Sequence, residues 1–191
     1  MTKTKLGPNT IMFPYPTVLV GAMVNGKPNF MTASWVGIAC SNPPAISVAI
    51  RPERYTYKGV IEHNTFSINV PGSNLAKATD YCGIYSGRDN DKTSLFNIFY
   101  GKVDTAPLIE ECPLNLECKV IHTVEIGTHT LFIGEIMETH ANENCLTNGK
   151  PDIKKIDPII YATGTRQYHK VGDQIGRAFK IGDKKNLKDK L

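Results

Sequence analysis

The sequence lacks any apolar stretch long enough to cross a membrane. None of its runs approaches the roughly 20 apolar residues that a spanning helix requires. Residues 1–7 contain two lysines but not the apolar segment of a signal peptide. We therefore expect a cytoplasmic protein with no membrane association.

Cysteine is scarce, and its pattern does not favour a disulfide framework. The cysteines are odd in number, widely spaced and without a Cys-x-x-Cys pair: Cys40, Cys82, Cys112, Cys118 and Cys145. Such a pattern predicts reduced thiols. Cys112, Cys118 and His122 lie close in sequence, but their spacing lacks a paired-ligand motif, so we predict no metal site.

Two nucleotide-binding motifs are also absent. No Gly-x-Gly-x-x-Gly follows a predicted strand, and no Gly-Lys-Ser/Thr of the Walker type occurs.

The net charge is only +4, and part of that excess comes from the four lysines and two aspartates of residues 183–191. We predict one domain over residues 1–182, a flexible charged tail over 183–191, and no nucleic-acid partner.

Extended segments separated by turns dominate the rest of the chain. Asn25-Gly26 lies between apolar runs at 17–24 and 29–34, and both turn residues tolerate the positive φ of a type I′ hairpin. Ser41-Asn42-Pro43-Pro44 then breaks the chain. Further strands are predicted at residues 45–51, 65–70, 114–126, 129–139 and 159–171.

The segment 114–126 has the clearest period, since apolar residues occupy one parity and polar residues such as Asn115 and Glu117 the other. Helices are predicted at 55–63 and at 74–81, the second capped by Ser73. Residues 83–92 are rich in glycine and charge and are predicted to form an exposed loop. Together these elements indicate an antiparallel β-barrel with short inserted helices.

Four short motifs occur in order in the N-terminal half. They are Asn29-Phe30-Met31-Thr32-Ala33-Ser34-Trp35, Pro43-Pro44, Ile50-Arg51-Pro52-Glu53-Arg54-Tyr55-Thr56 and Phe66-Ser67-Ile68-Asn69-Val70. With them the sequence resembles the flavoredoxins and related flavin reductase-like proteins over residues 14–168. The resemblance implies a mainly β, antiparallel Greek-key split β-barrel, bound FMN, and a homodimer with Tyr161 and Tyr168 as interface aromatics.

The resemblance also implies where FMN binds. A phosphate, a polyhydroxyl chain and a flat ring require cations, hydroxyl groups and apolar walls, and arginine suits phosphate because it forms bidentate hydrogen bonds. The predicted cofactor-binding residues are Asn29, Met31, Thr32, Ala33, Ser34, Trp35, Ile50, Arg51, Arg54, Tyr55, Thr56 and Lys92. From the residues alone, a core or dimer contact is favoured for Trp35, and a solvated strand end is the default for the arginines.

Two residues are candidates for a catalytic role. Lys92 ends a loop that resembles the family's Asp-Lys loop, and a cation there would stabilise a reduced flavin. His129 follows Gly127-Thr128, where many flavin reductases have Gly-Asp-His, so a carboxylate partner for the imidazole is missing. Each residue is also compatible with an ordinary surface position, and Cys40 is either a reactive thiol near the flavin or a small packed residue.

The function that the resemblance implies is an FMN-dependent oxidoreductase. NADH, NADPH or a reduced redox protein would donate the electrons, which pass through FMN to an acceptor. Two alternatives stay open: a non-catalytic FMN-binding protein, and an FMN oxidase of the pyridoxamine phosphate oxidase type. The oxidase would need a second basic cluster for its substrate phosphate, and the sequence contains no clear one.

Overall fold

The computed structural model describes residues 1–183. The predicted tail at 183–191 lies outside the described residues except for Asp183. The strands are β1 (Tyr15–Pro16), β2 (Val18–Val24), β3 (Lys27–Ala33), β4 (Val36–Ser41), β5 (Pro44–Ile50), β6 (Thr65–Val70), β7 (Ile98–Phe99), β8 (Leu108–Ile109), β9 (Leu114–Ile126), β10 (His129–Ala141), β11 (Leu146–Thr147), β12 (Lys150–Pro151), β13 (Ile159–Ala162) and β14 (Gln167–Lys170). The α-helices are α1 (Tyr55–His63), α2 (Ala76–Ile84) and α3 (Ile153–Ile156), and 3-10 turns cover Ser73–Leu75, Thr93–Leu95 and Glu143–Cys145.

One antiparallel sheet of seven strands forms the body of the fold, in the order β3-β2-β6-β9-β10-β5-β4. Its two edge strands, β3 and β4, are separated in sequence only by Ser34 and Trp35. The sheet must therefore curl until its edges approach each other at this corner, where the amide of Ala49 donates to the Trp35 carbonyl at 3.0 Å. Within residues 1–183 no ladder joins β3 to β4, so the sheet does not close into a barrel.

The mainly β prediction is confirmed, and several predicted boundaries match the structure. The segments 55–63, 65–70 and 114–126 form α1, β6 and β9 with those limits. Asn25 and Gly26 have φ values of 52° and 73°, the positive values that the predicted β2–β3 hairpin requires. The Greek-key split barrel implied by the resemblance stays a prediction, because the sheet is open.

Three local predictions are wrong. Strand β4 was not predicted, and it pairs with β5 in a hairpin whose turn is Asn42-Pro43. The segment 159–171 is not one extended strand but the hairpin β13–β14, which joins β1 in a three-stranded sheet. Helix α2 begins at Ala76 rather than at 74, and the Ser73 hydroxyl donates to the Asp157 carboxylate instead of capping the helix.

The main core lies inside the curled sheet and is formed by side chains from several of its strands. Val20 of β2, Val48 of β5, Phe66 of β6 and Phe132 of β10 are fully buried there together. Helix α1 also packs on this core, and Gly59 lets it approach β2, since a Cβ at Gly59 would overlap the carbonyl of Met23. This close packing fixes the position of α1 relative to β2 and β3.

A second, smaller core lies between the sheet, α2 and the segment 96–112. Cys112 belongs to it, whereas Cys118 lies in the main core and His122 is exposed. The structure therefore separates the three residues considered as metal ligands. No helix among the described residues is both long enough and apolar enough to span a bilayer.

Glu117 of β9 departs from the predicted alternation, because its side chain is fully buried on the parity expected to face solvent. Its Oε1 accepts from Nε2 of His140 at 2.6 Å, and its Oε2 accepts from the amide of Val103 at 2.6 Å. A buried carboxylate is tolerated only when its hydrogen bonds are satisfied. Glu117 thus ties β9, β10 and the 97–107 segment together.

We expect Glu117→Gln to lower the free energy of unfolding by about 2–4 kcal/mol, because the amide leaves one of the buried partners without its acceptor. Urea unfolding followed by circular dichroism measures the change. The matched control is Glu138→Gln, whose carboxylate pairs with Lys102 at 2.8 Å in an exposed position and should change stability little. Equal losses in both variants would contradict the role given to Glu117.

Candidate functional site

A groove follows β3 from the β2–β3 hairpin to the corner at Trp35. It consists of three adjoining cavities. The inner cavity, of about 180 Å³, lies between β3, the start of α1 and the loop after α2. The corner cavity, of about 170 Å³, extends from Met31 to Trp35 and His129. The outer cleft, of about 380 Å³, lies between the hairpin at 24–28 and the loop at 87–92.

The groove is continuous because neighbouring cavities share lining residues. Met31, Arg51 and Arg54 line both the inner and the corner cavity. The inner cavity and the outer cleft share four residues: Asn29, Tyr55, Gly87 and Lys92. One elongated ligand could therefore reach from the corner to the hairpin.

The structure brings together eleven of the twelve residues predicted to bind a cofactor. These line the inner or the corner cavity: Asn29, Met31, Thr32, Ala33, Ser34, Trp35, Arg51, Arg54, Tyr55, Thr56 and Lys92. Ile50 is the exception, since its side chain is fully buried in the main core. Cys40 lines none of the three cavities and is exposed on β4.

The inner cavity lies at the positive end of α1. The helix begins at Tyr55, directly after Arg54, and no side chain caps its first turn. Both residues line the cavity together with Thr56, whose hydroxyl oxygen accepts from Nδ2 of Asn29 at 2.6 Å. An uncapped helix start with its partial positive charge favours an anion.

The carbonyl groups of α2 hold three side chains of the groove in place. Near the C-terminal end of this helix, Lys92 Nζ donates to the Cys82 carbonyl at 3.1 Å and Arg54 Nη1 to the Gly83 carbonyl at 3.5 Å. One turn earlier, the Thr32 hydroxyl donates to the carbonyl of Thr79. Terminal helix carbonyls lack partners within the helix and attract cations, so α2 orients the groove's positive charges.

Lys92 is buried, which contradicts the predicted exposed loop. Its side chain is 4% exposed, and Nζ also donates to the Phe30 carbonyl at 2.9 Å. Within residues 1–183 no carboxylate forms an ion pair with it. Burial lowers the pKa of Lys92, the Cys82 thiol opposes that effect, and the charge of Arg54 lowers the pKa further. A buried ammonium without a counter-charge favours an anionic ligand.

Several lining residues were not predicted. Gly87 lies against Asn29 and Tyr55 so closely that a Cβ would overlap the Asn29 side chain and approach Tyr55 Cδ1 to 2.9 Å. Cys82, whose thiol has its pKa raised to about 11 chiefly by burial, also lines the inner cavity. Nothing in the local sequence distinguishes Gly87 from any other loop glycine, because the requirement comes from β3 and α1.

The corner cavity is bounded by two rings that contact each other at an inclination of 34°. The rings of Trp35 and His129 are 4.7 Å apart between centroids. Nδ1 of His129 is 2.9 Å from the Thr128 hydroxyl, so threonine partly replaces the missing carboxylate as a partner. Partial burial lowers the pKa of His129, Arg51 lowers it further, and Glu53, paired with Arg51 at 3.2 Å, opposes these effects. The imidazole is therefore held neutral near pH 7.

The groove thus has a cationic middle and an aromatic end. Cations, a helix start and hydroxyl groups surround the inner cavity, while Trp35 and His129 flank the corner. An elongated ligand with a phosphate at one end and a flat ring at the other matches this donor set. FMN has that form, so the residues present fit it.

Comparison with known proteins agrees with this geometry. Residues 10–171 match the family model described as "Flavin reductase like domain". The chain therefore belongs to this family of flavin-binding proteins, and its role is that of a flavin-related oxidoreductase.

Within the family, the chain is similar to flavoredoxins. It is 44% identical to the flavoredoxin of Methanosarcina acetivorans, with a TM-score of 0.93 and coverage of 96% of this chain and 98% of the other. For the flavoredoxin of Desulfovibrio vulgaris (Miyazaki F) the identity is 41%, the TM-score 0.89 and the coverage 95% and 100%. A ferric-chelate reductase (NAD(P)H) of Archaeoglobus fulgidus is 26% identical over 71% of this chain and 87% of its own length.

Proposed function

We propose that this chain is an FMN-dependent oxidoreductase that moves electrons from NAD(P)H or a reduced redox protein to an acceptor. The observation that supports it most directly is Lys92, a buried ammonium with no carboxylate partner among the described residues, in a cavity that also contains Arg51 and Arg54. A phosphate group would supply the missing negative charge.

The inner cavity is the proposed phosphate site. Lys92 already uses two of its three N–H donors on carbonyls and retains one for a ligand. Arg51 and Arg54 add guanidinium groups, and the uncapped start of α1 adds backbone amides. Charge-assisted hydrogen bonds of this kind are stronger than neutral ones, especially where water is excluded.

The corner cavity is the proposed ring site. Met31 and Ala33 contribute apolar surface, and Trp35 and His129 flank the space from the other side. Bound FMN would supply the acceptance and release of two electrons. The protein's part is to orient the ring, exclude water from one side, and present His129 as a neutral imidazole able to exchange a proton at Nε2.

We also propose a homodimer in which the corner cavity lies near the interface. Ala49, Leu131 and Val124 form one cross-strand row on the outer face of β5, β10 and β9. Their side chains are half-buried or exposed, and Ile38 on the neighbouring edge strand is 70% exposed. Ala49 also lines the corner cavity, so this apolar face continues into the groove. A second copy would cover it.

Lys92→Met tests the phosphate site. We expect the dissociation constant for FMN to rise 30- to 150-fold, about 2–3 kcal/mol, because one charge-assisted contact to a buried anion is lost. Stability of the ligand-free chain should change by less than about 1 kcal/mol, since two lost hydrogen bonds are offset by removal of a buried charge. Fluorescence titration with FMN and urea unfolding give the two values.

Two further variants accompany this measurement. Arg51→Ala should weaken FMN binding by about 2 kcal/mol or more. Lys77→Met, at an exposed lysine of α2 that lines none of the cavities, should leave FMN affinity within about twofold. If wild-type protein stays colourless and apo in excess FMN, the proposed function is wrong.

Stopped-flow absorbance of the FMN-loaded protein identifies the electron donor. Bleaching of the oxidised flavin band by NADH or NADPH indicates a reductase, whereas bleaching only by a reduced viologen indicates an electron carrier. His129→Ala should slow the bleaching by NAD(P)H while FMN retention is kept. No bleaching by either donor would contradict an oxidoreductase and leave a flavin-binding protein.

Sedimentation velocity tests the dimer. Val124→Glu introduces a charge into the outer apolar row and should shift the FMN-loaded protein from dimer to monomer at micromolar concentration. Ile153→Glu is the control, because Ile153 is also exposed but lies on α3, away from β5, β9 and β10. A wild-type protein that stays monomeric at about 100 µM would contradict the dimer.

A further inference from the structure

The turn that follows β5 places a carboxylate among the cations of the inner cavity. The amide of Arg54 donates to the Arg51 carbonyl at 3.0 Å, so residues 51–54 form a tight turn with Glu53 between the two arginines. Arg51, Glu53 and Arg54 all line the inner cavity. Among the residues that the structure describes, Glu53 is the only carboxylate in this lining, and the proposed function leaves it without a role.

Glu53 is already paired with one of these cations. Its Oε1 lies 3.2 Å from Nη1 of Arg51. The side chain of Glu53 is 64% exposed and that of Arg51 is 47% exposed, so water screens the pair and the contact contributes little to stability. The ion pair is therefore easily opened, and a ligand of higher charge can displace the carboxylate.

The other two cations of the inner cavity are held in a different way. Arg54 donates to the Gly83 carbonyl at 3.5 Å, and Lys92 donates to two carbonyls. A carbonyl has no net charge, so these contacts leave the full positive charge of both side chains available to a ligand. Within residues 1–183, Arg51 is thus the one cation of this cavity that has a carboxylate partner.

A phosphate group that approaches Arg51 would therefore find a carboxylate in its place. A guanidinium binds phosphate best through two parallel hydrogen bonds, and Glu53 obstructs them while it stays paired. After displacement the carboxylate still belongs to a turn of the cavity wall, and two anions in one cavity repel each other. Both effects weaken the binding of an anionic ligand, and neither acts on an uncharged one.

We propose that Glu53 competes with the flavin phosphate for Arg51 and so reduces the preference of the protein for FMN over riboflavin, the same flavin without a phosphate. This proposal rests on the proposed function, since it takes the inner cavity as the phosphate site. Because Arg51 is the contested group, removal of the competitor should tighten FMN binding only when that guanidinium is present.

Glu53→Gln tests the proposal, because the amide keeps the size of the side chain and removes its charge. We measure dissociation constants for FMN and for riboflavin by fluorescence titration of the apo-protein. The constant for FMN should fall by about fivefold or more, whereas that for riboflavin should stay within about twofold. In the Arg51→Ala background, Glu53→Gln should change the constant for FMN by less than about twofold, since no guanidinium is left to contest.

Glu62→Gln is the matched control. Glu62 is an exposed glutamate of α1 that lines none of the three cavities, so its neutralisation should leave both dissociation constants within about twofold. Unchanged or weaker FMN binding in Glu53→Gln would overturn the proposal, because the carboxylate would then have no effect or would orient Arg51 for the phosphate.

Two other results would also overturn the proposal. One is tightening of FMN that persists in the Arg51→Ala background, which would show that the Glu53 carboxylate acts without Arg51. The other is equal tightening of riboflavin, which has no phosphate to compete for a cation. If the wild-type protein does not bind FMN at all, the proposed function fails instead.

Discussion

The groove depends on one electrostatic arrangement, the burial of the Lys92 ammonium at the C-terminal end of α2. Two carbonyls hold this charge, but within the described chain no carboxylate neutralises it. Carbonyl dipoles offset only part of the cost of removing a charge from water. On the proposed function, the remainder would be recovered when the phosphate of the flavin enters the inner cavity. The same helix end also holds Arg54, which orders the site in advance.

The fold explains why this charge and an aromatic pair share one groove. The sheet curls because its two edge strands follow each other with only two residues between them. The curl brings His129, at the start of β10, beside Trp35 at the corner. Close packing of α1 on β2 places the helix start beside the same strand edge. A flat sheet would leave these groups on separate surfaces.

Much of the fold could be predicted from the sequence where the local signal is strong. Asn25-Gly26 specifies its hairpin, and the period of 114–126 gives the limits of β9. Strand β4 was missed because Val36–Ser41 is exposed along most of its length and so shows no alternation. Glu117 was assigned to the solvent face of β9, and the loop that ends in Lys92 was predicted to be exposed, because charged residues usually lie at the surface. The partners that bury these two side chains, His140 and the carbonyl of Cys82, are not neighbours in sequence. The residues of the site were predicted from the family resemblance. The outer cleft and the close packing at Gly87 arise from how the β2–β3 hairpin, the start of α1 and the loop after α2 pack together, which no local pattern shows.

The bond between Tyr168 and Asp80 links the C-terminal hairpin to the groove. The Tyr168 hydroxyl donates to Oδ1 of Asp80 at 2.9 Å, so α2 is attached to β14 near its middle and to the groove at its end. Desolvation and this carboxylate both raise the pKa of Tyr168, which keeps the phenol protonated and able to donate. Helix α2 is therefore held at two positions, near its middle by Tyr168 and at its C-terminal end by Lys92 and Arg54. For protein engineering, this means that affinity tags or fusion partners are better joined beyond residue 171 than within the β13–β14 hairpin. An insertion in that hairpin would displace α2 and, with it, the carbonyls that position Lys92 and Arg54.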